Sequence, residues 1–184
     1  MFLRFLRRQP TDPLHVSMMG VRMGERVLQI GCDDPTLLGG VSLKVGLSGT
    51  AACIVTSGAD AARAERAGAD AGALLDVQQT PLATLPFDAA AFDLIVVDDT
   101  AGTFAARAHE EQVAALGDAL RVLRAGGRIE IVEGLGTGGL RSKPIARRSG
   151  YAGDALLTEA GFRPVRLLAE RTMYRFYEGL RPAR

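Results

Sequence analysis

The 184 residues predict an α/β protein with a mostly parallel seven-stranded sheet, helices on both faces and an antiparallel strand at one edge. Three observations predict it. Short apolar runs alternate with helix-period segments from about residue 26 to 160, the order that builds parallel sheets with crossover helices. The runs "AACIV" and "LIVV" are continuously apolar, as strands covered on both faces are. The last two runs, "RPVRLLAE" and "RTMYRFYEGL", lie too close for a crossover helix and read as an antiparallel pair.

"TDPLHVSMMGV" (11–21) reads as a short helix, with Thr11 or Asp12 as cap and Pro13 in its first turn. "RVLQIG" (26–31) is the first strand. "PTLLGGVSLKVG" (35–46) is a helix, with Leu38, Val41 and Val45 at helical spacing. "TAACIVT" (50–56) is the second strand, "ADAARAERAGA" (59–69) an Ala-rich helix, and "GALLDVQ" (72–78) a weaker third strand. "FDLIVVDD" (92–99) is the clearest strand. A helix from His109 carries Val113, Leu116, Leu120 and Leu123 on one stripe and is expected to end at Gly126–Gly127. "RIEIVEG" (128–134) is the fifth strand. The basic, glycine-rich loop 135–150, the helix "GDALLTEAGF" (153–162) and the closing pair follow. The domain is expected over 21–184, with 1–20 as a basic and helical extension.

Composition narrows the function. No apolar run approaches the roughly 18 residues of a membrane span, and "MFLRFLRR" lacks the features of a secretory leader. Two cysteines without metal or redox spacing suggest a reduced, cytoplasmic setting. Net charge is +1, distributed as +3 over residues 1–8, −8 over 9–140 and +6 over 141–184. Basic ends either pair with the acidic body or attract anions; the N-terminus, with Phe2, Leu3, Phe5 and Leu6 between arginines, is a candidate for weak contact with a membrane surface. An aromatic content of 5% without Trp argues against a single-stranded nucleic-acid platform.

In an open sheet, ligands sit beyond the carboxyl ends of the strands. That selects residues 31–35, 56–60, 78–82, 98–104 and 133–143. "HEEQ" (109–112) lacks a second His four residues on and is not a metalloprotease helix; Glu110 and Glu111 complement the helix N-terminus instead. His15 is expected on a helix surface or in a lid. No metal set is expected.

The segments "LPFDAAAFDLIVVDD", "ALRVLRAGGRIEIVE" and "LLTEAGFRPVRLL", in this order, resemble the class I S-adenosylmethionine-dependent methyltransferases, a Rossmann-like family of the type 11 sort. The resemblance spans about residues 20–180. It implies S-adenosylmethionine as cofactor and direct displacement at its methyl carbon, where proximity and alignment matter most. It implies a cofactor site at Gln29, Gly31, Cys32, Asp33, Thr56, Ser57, Thr80 and Leu82. Asp98 is the candidate base. Asp99, Thr100, Phe104, Gly134 and Arg141 would face a small-molecule acceptor, and a homodimer is the oligomer expected.

The sequence departs from the family at its gripping points. Gln29 stands where an acid belongs, and Asp33 and Pro35 replace the second and third glycines of the loop. The acid at the end of the second strand is replaced by Val55, Thr56 or Ser57, with Asp60 as a substitute or a helix-start residue. Pro81 replaces the acid after the third strand. Two readings follow: a methyltransferase acting on a small molecule, or a non-catalytic binding or scaffolding protein on the same fold.

Overall fold

A computed structural model describes residues 13–135, 152–171 and 173–183. The elements are α1 (Leu14–Met18), β1 (Arg26–Ile30), α2 (Pro35–Val45), β2 (Thr50–Val55), α3 (Gly58–Ala71), β3 (Asp76–Gln79), β4 (Phe92–Asp99), α4 (His109–Val122), β5 (Leu123–Gly134), α5 (Gly153–Glu159), β6 (Val165–Arg171) and β7 (Tyr174–Leu180). The seven strands form one sheet in the order β3-β2-β1-β4-β5-β7-β6. β1 through β5 pair in parallel, and β7 runs antiparallel to both β5 and β6. β7 is inserted between β5 and β6, so β6 is the edge strand. The order reverses between β1 and β4, which places the switch point beside the loop after β1.

Alternation along the strands feeds two faces. Leu28, Ile30, Ile95, Val97, Ile129 and Ile131 pack with Leu116, Ala119 and Phe162 on the face carrying α4 and α5. Val27, Leu94, Val96, Val132 and Phe176 pack with Leu37, Val41, Val45, Val16 and Met19 on the face carrying α1 and α2. Val16 and Met19 are fully buried, so α1 belongs to the packed domain although it falls in the segment expected as an extension.

Helix starts follow capping chemistry. Asp34 is the N-cap of α2, its carboxylate accepting from Thr36 N at 2.8 Å, and Pro35 occupies the first turn, where no N–H is needed. Ser57 caps α3 by accepting from Asp60 N at 3.2 Å. Gly72 closes α3 in the left-handed conformation, so residues 72–75 are helix exit and connection, and β3 begins only at Asp76. The helix expected to reach Gly127 stops at Val122. Leu123 leaves the apolar stripe to pair with Phe92, and residues 124–127 form a bulge within β5, bonded to Arg181, before Arg128 pairs with Leu94.

Candidate functional site

Where β1 ends, Gly31 adopts φ +87, and a Cβ there would come within 3.1 Å of Asp98 O. Glycine is therefore required, and the chain turns sharply out of the sheet. A narrow cavity of about 70 Å³ opens above this turn, lined by Gly31, Cys32, Asp33, Asp98, Thr103 and Phe104, with Asp60 and Arg107 at its side. Thr56, Leu82 and Arg107 are shared with a wider cleft of about 670 Å³ beyond β2 and β3, whose other walls are Gln79, Thr80, Pro81, Glu110 and Glu111. Of the residues the sequence singled out, Gly31, Cys32, Asp33, Thr56, Leu82, Asp98 and Phe104 line the cavity, and Thr56, Thr80 and Leu82 line the cleft. The structure brings in Arg107, Thr103 and Gln79, which carried no signal beyond position.

Asp98 is 1% exposed and acts as a clamp. Its carboxylate accepts from Asp34 N at 2.8 Å, from Thr100 Oγ1 at 2.7 Å and Thr100 N at 3.2 Å, and from Gln29 Nε2 at 3.4 Å. Burial raises its pKa to about 6, against the pull of these donors. Oδ2 holds the β1 loop against β4 and Oδ1 holds Thr100 in the loop after β4, so the base expected at Asp98 is corrected to a structural acceptor.

Asp99 is fully buried and accepts from Phe104 N at 2.9 Å and Ala105 N at 3.0 Å, shaping the loop after β4 from within. It does not face an acceptor. Successive strand residues point to opposite faces, which is why the two carboxylates divide in this way. Thr100 is held by Asp98, and Gly134 lies under the Thr100 backbone, where any Cβ would collide with Thr100 O. Neither residue lines the crevice. Phe104 does, but as a buried core residue whose carbonyl accepts from Gln112 Nε2 at 2.9 Å.

Three further expectations are corrected. Gln29 is buried below the loop, donating to Gly31 O at 3.1 Å, and is not on the crevice wall. Ser57 is spent on capping α3 and on Asp60, at 2.7 Å. His15 is buried, with Nε2 3.0 Å from Asp34 Oδ2 and its ring 5.0 Å from that of Tyr174. It ties α1 to the start of α2 and holds the Asp34 carboxyl below its usual range. Arg141 lies outside the described residues.

Asp60 lines the cavity, but its carboxylate is engaged by Ser57 and by Arg63 at 2.6 Å, while Arg63 Nε donates to Cys32 O at 2.7 Å. Asp33 reaches across the crevice to Ala101 N at 3.0 Å, Thr103 N at 3.3 Å and Thr103 Oγ1 at 2.7 Å. Arg107 reaches the other way to Thr56 Oγ1 at 3.1 Å. Cys32 and Cys53 are buried, and burial pushes both thiols up, away from nucleophilic thiolate. Among the described residues no group of three or more His, Cys, Asp or Glu is placed to hold a metal ion, and no helix is long and apolar enough to cross a membrane.

A mostly parallel sheet with a glycine turn at its switch point and a ligand-sized cleft beyond the adjoining strands defines a doubly wound α/β protein. The family model described as "Methyltransferase domain" matches residues 28–131, more than half of the chain. The chain belongs to that family. Among solved structures, it is similar to a SAM-dependent methyltransferase from Aquifex aeolicus, at 18% identity and a TM-score of 0.71 over 90% of this chain and 86% of that one. It is similar also to the S-adenosylmethionine-dependent methyltransferase SibL in its apo form, at 18% identity and 0.66, covering 94% of this chain and 55% of that one. The [4+2]-cyclase SpnF matches at 16% identity and 0.63, over 93% of this chain and 79% of that one. At these identities the likeness is one of fold. No curated protein matches the chain in sequence.

The residues present fit the family's cofactor unequally. The cleft of about 670 Å³ is of the size that takes a nucleoside, within the roughly 300–1,000 Å³ of ordinary ligand pockets, and Thr56, Gln79 and Thr80 offer neutral donors and acceptors. The cavity over Gly31, where the amino-acid end would lie, is only about 70 Å³ and is crossed by Asp33.

Proposed function

We propose that this chain transfers a methyl group from S-adenosylmethionine to a small molecule. The observation that supports it is the continuity of the wide cleft beyond β2 and β3 with the Gly31 turn through Thr56, Leu82 and Arg107. The bound cofactor would supply an electrophilic methyl carbon. The chain's part is positioning: the apolar side chain of Leu82 offers a flat wall, Thr56 and Thr80 offer hydroxyls, and the clamped β1 loop fixes where backbone approaches the ligand. With Asp98 committed to the loop, the reading assigns no protein base and suits an acceptor that is nucleophilic without one.

A second reading, a binding or scaffolding protein without chemistry, is favoured by two specific observations. The end of β2 offers Thr56 where an acid would grip a ribose diol, and Asp33 fills part of the amino-acid end. SpnF, a [4+2]-cyclase, illustrates that the fold carries activities other than methyl transfer.

Calorimetric titration with S-adenosylhomocysteine, paired with thermal melts, separates the two. A ligand that binds only the folded state at 100 times its Kd stabilises by about 2.7 kcal/mol. Saturable binding with a matching rise in Tm supports the first reading. No heat and no shift at millimolar ligand leaves the second.

A further inference from the structure

The narrowness of the Gly31 cavity has an identifiable cause. The loop after β4 is rooted firmly: Asp99 holds Phe104 N and Ala105 N, Gln112 holds Phe104 O, and Phe104 is 3% exposed. The backbone around the cavity is therefore fixed from below. What crosses it are two side chains running in opposite directions. Asp33, from the β1 loop, makes three hydrogen bonds to Ala101 and Thr103. Arg107, from the far end of the loop after β4, bonds Thr56 at the end of β2 and stands on the wall common to cavity and cleft. Neither contact is buried, and Arg107 also stands 4.0 Å from Glu111 Oε2; both contacts are made by side chains, which change rotamer without moving backbone.

Resting on the methyltransferase reading, we infer that Asp33 and Arg107 are two bolts across the cofactor crevice, and that the crevice opens by rotating these side chains rather than by moving its backbone. The form described here has both bolts shut, leaving about 70 Å³ over Gly31. A ligand that needs the bolts open binds with its intrinsic affinity reduced by the fraction of molecules open. Asp33 stands at the second glycine of the family's loop pattern, the position at which this chain departs from it; the departure then sets occupancy of the site rather than abolishing it. The bolts are positioning residues, and neither acts on the reacting atoms.

The test is S-adenosylhomocysteine binding to the full chain, measured as association and dissociation rates by surface plasmon resonance, for the unaltered protein and for Thr103→Val, Asp33→Ala and Arg107→Ala. Removing hydrogen bonds of this exposed, partly charged kind should raise affinity about three- to thirtyfold, through faster association. Thr103→Val carries the decision, because it takes away the hydroxyl that Asp33 grips and leaves every charge in place. A purely electrostatic role for Asp33 would move Asp33→Ala and not Thr103→Val. A merely structural role would lower Tm and weaken binding together, whereas a bolt lowers Tm slightly while binding tightens. Variants that bind when the unaltered chain does not would support both the bolts and the methyltransferase reading. Binding to the unaltered chain that the variants leave equal or weaker would overturn the bolts alone. No binding by any of the four would overturn both.

Discussion

Glu130 shows how one residue can carry a pH dependence. It lies on β5 with 2% of its surface exposed, and its register partner on β7 is a second buried carboxylate, Glu178. Its nearest cation is Arg128, with Nε 3.5 Å from one oxygen, and Arg128 is also engaged by Glu25 at 2.9 Å. Desolvation dominates, the Arg128 charge opposes it and Glu178 reinforces it, so the Glu130 pKa rises from 4.5 to about 7. A raised carboxyl binds its proton more tightly in the folded state. Its contribution is therefore greatest below pH 4.5 and is lost as pH rises toward 7. The shift corresponds to roughly 3 kcal/mol, taken as an order of magnitude. Asp98, raised to about 6, tilts the same way. Glu130→Gln removes one of the two slopes: its stability relative to the unaltered chain should rise steadily from pH 5 to 8 in urea titrations. A gap constant with pH would reject burial as the cause. Asp98 answers to a different substitution. Asp98→Asn turns one acceptor oxygen into a donor facing Asp34 N or Thr100, and should cost about 1–3 kcal/mol in the same titrations. An unchanged midpoint would mean that the clamp is dispensable.

At the scale of elements, the local signals were strong wherever chemistry within four residues decides the outcome. Asp34-Pro35 and Ser57-x-x-Asp60 start helices because a side-chain oxygen meets an otherwise unpartnered N–H. Ser57→Ala should lower stability by about 1 kcal/mol, read as a shift in urea midpoint at unchanged slope, because α3 loses its cap. A cap contributing nothing would leave the midpoint where it is. The same local reading failed at the end of α4. Leu123 continues the helical stripe in sequence, yet Phe92 on β4 captures it as a strand partner. Ser57 itself was legible as a polar residue at a ligand-binding edge, and its capping duty was not, because both roles use the same hydroxyl. Asp98 and Asp99 were legible as strand-end carboxylates. Their inward orientation depends on the loop that folds back over them, which no spacing encodes.

Across the whole molecule, the last two strands complete both faces at once. Phe176 joins the face of α1 and α2, and Tyr177 the face of α4 and α5. β7 also gives β5 its second partner, through Arg128↔Leu180 to Gly134↔Tyr174. A chain ending at Phe162 should therefore show no cooperative thermal transition by near-ultraviolet dichroism; a sharp melt would mean that the parallel half folds alone. The uneven charge resolves partly here. Among the basic residues of the C-terminal segment, Arg175 meets Glu133 at 3.2 Å and Glu170 at 2.7 Å, and Arg166 meets Glu178 at 2.7 Å. These pairs fall across adjacent strands; Glu133 belongs to the acidic body, whereas Glu170 and Glu178 lie within the basic segment itself, so most of this pairing is internal to the C-terminal hairpin.

The sequence by itself determined the order of strands and helices, the antiparallel close of the sheet, the family, and the edge of the sheet at which a ligand belongs. The family followed from the resemblance of three motifs; the rest follows from hydrophobic period, glycine and capping chemistry, which act between residues a few positions apart. Only the tertiary structure decided which polar groups at that edge have lone pairs to offer. Asp98 reaches Asp34 across 64 positions and Asp33 reaches Thr103 across 70. A hydrogen bond of that span depends on where the folded sheet puts two loops, and a carboxylate so engaged has its direction fixed and fewer of its lone pairs left for a ligand.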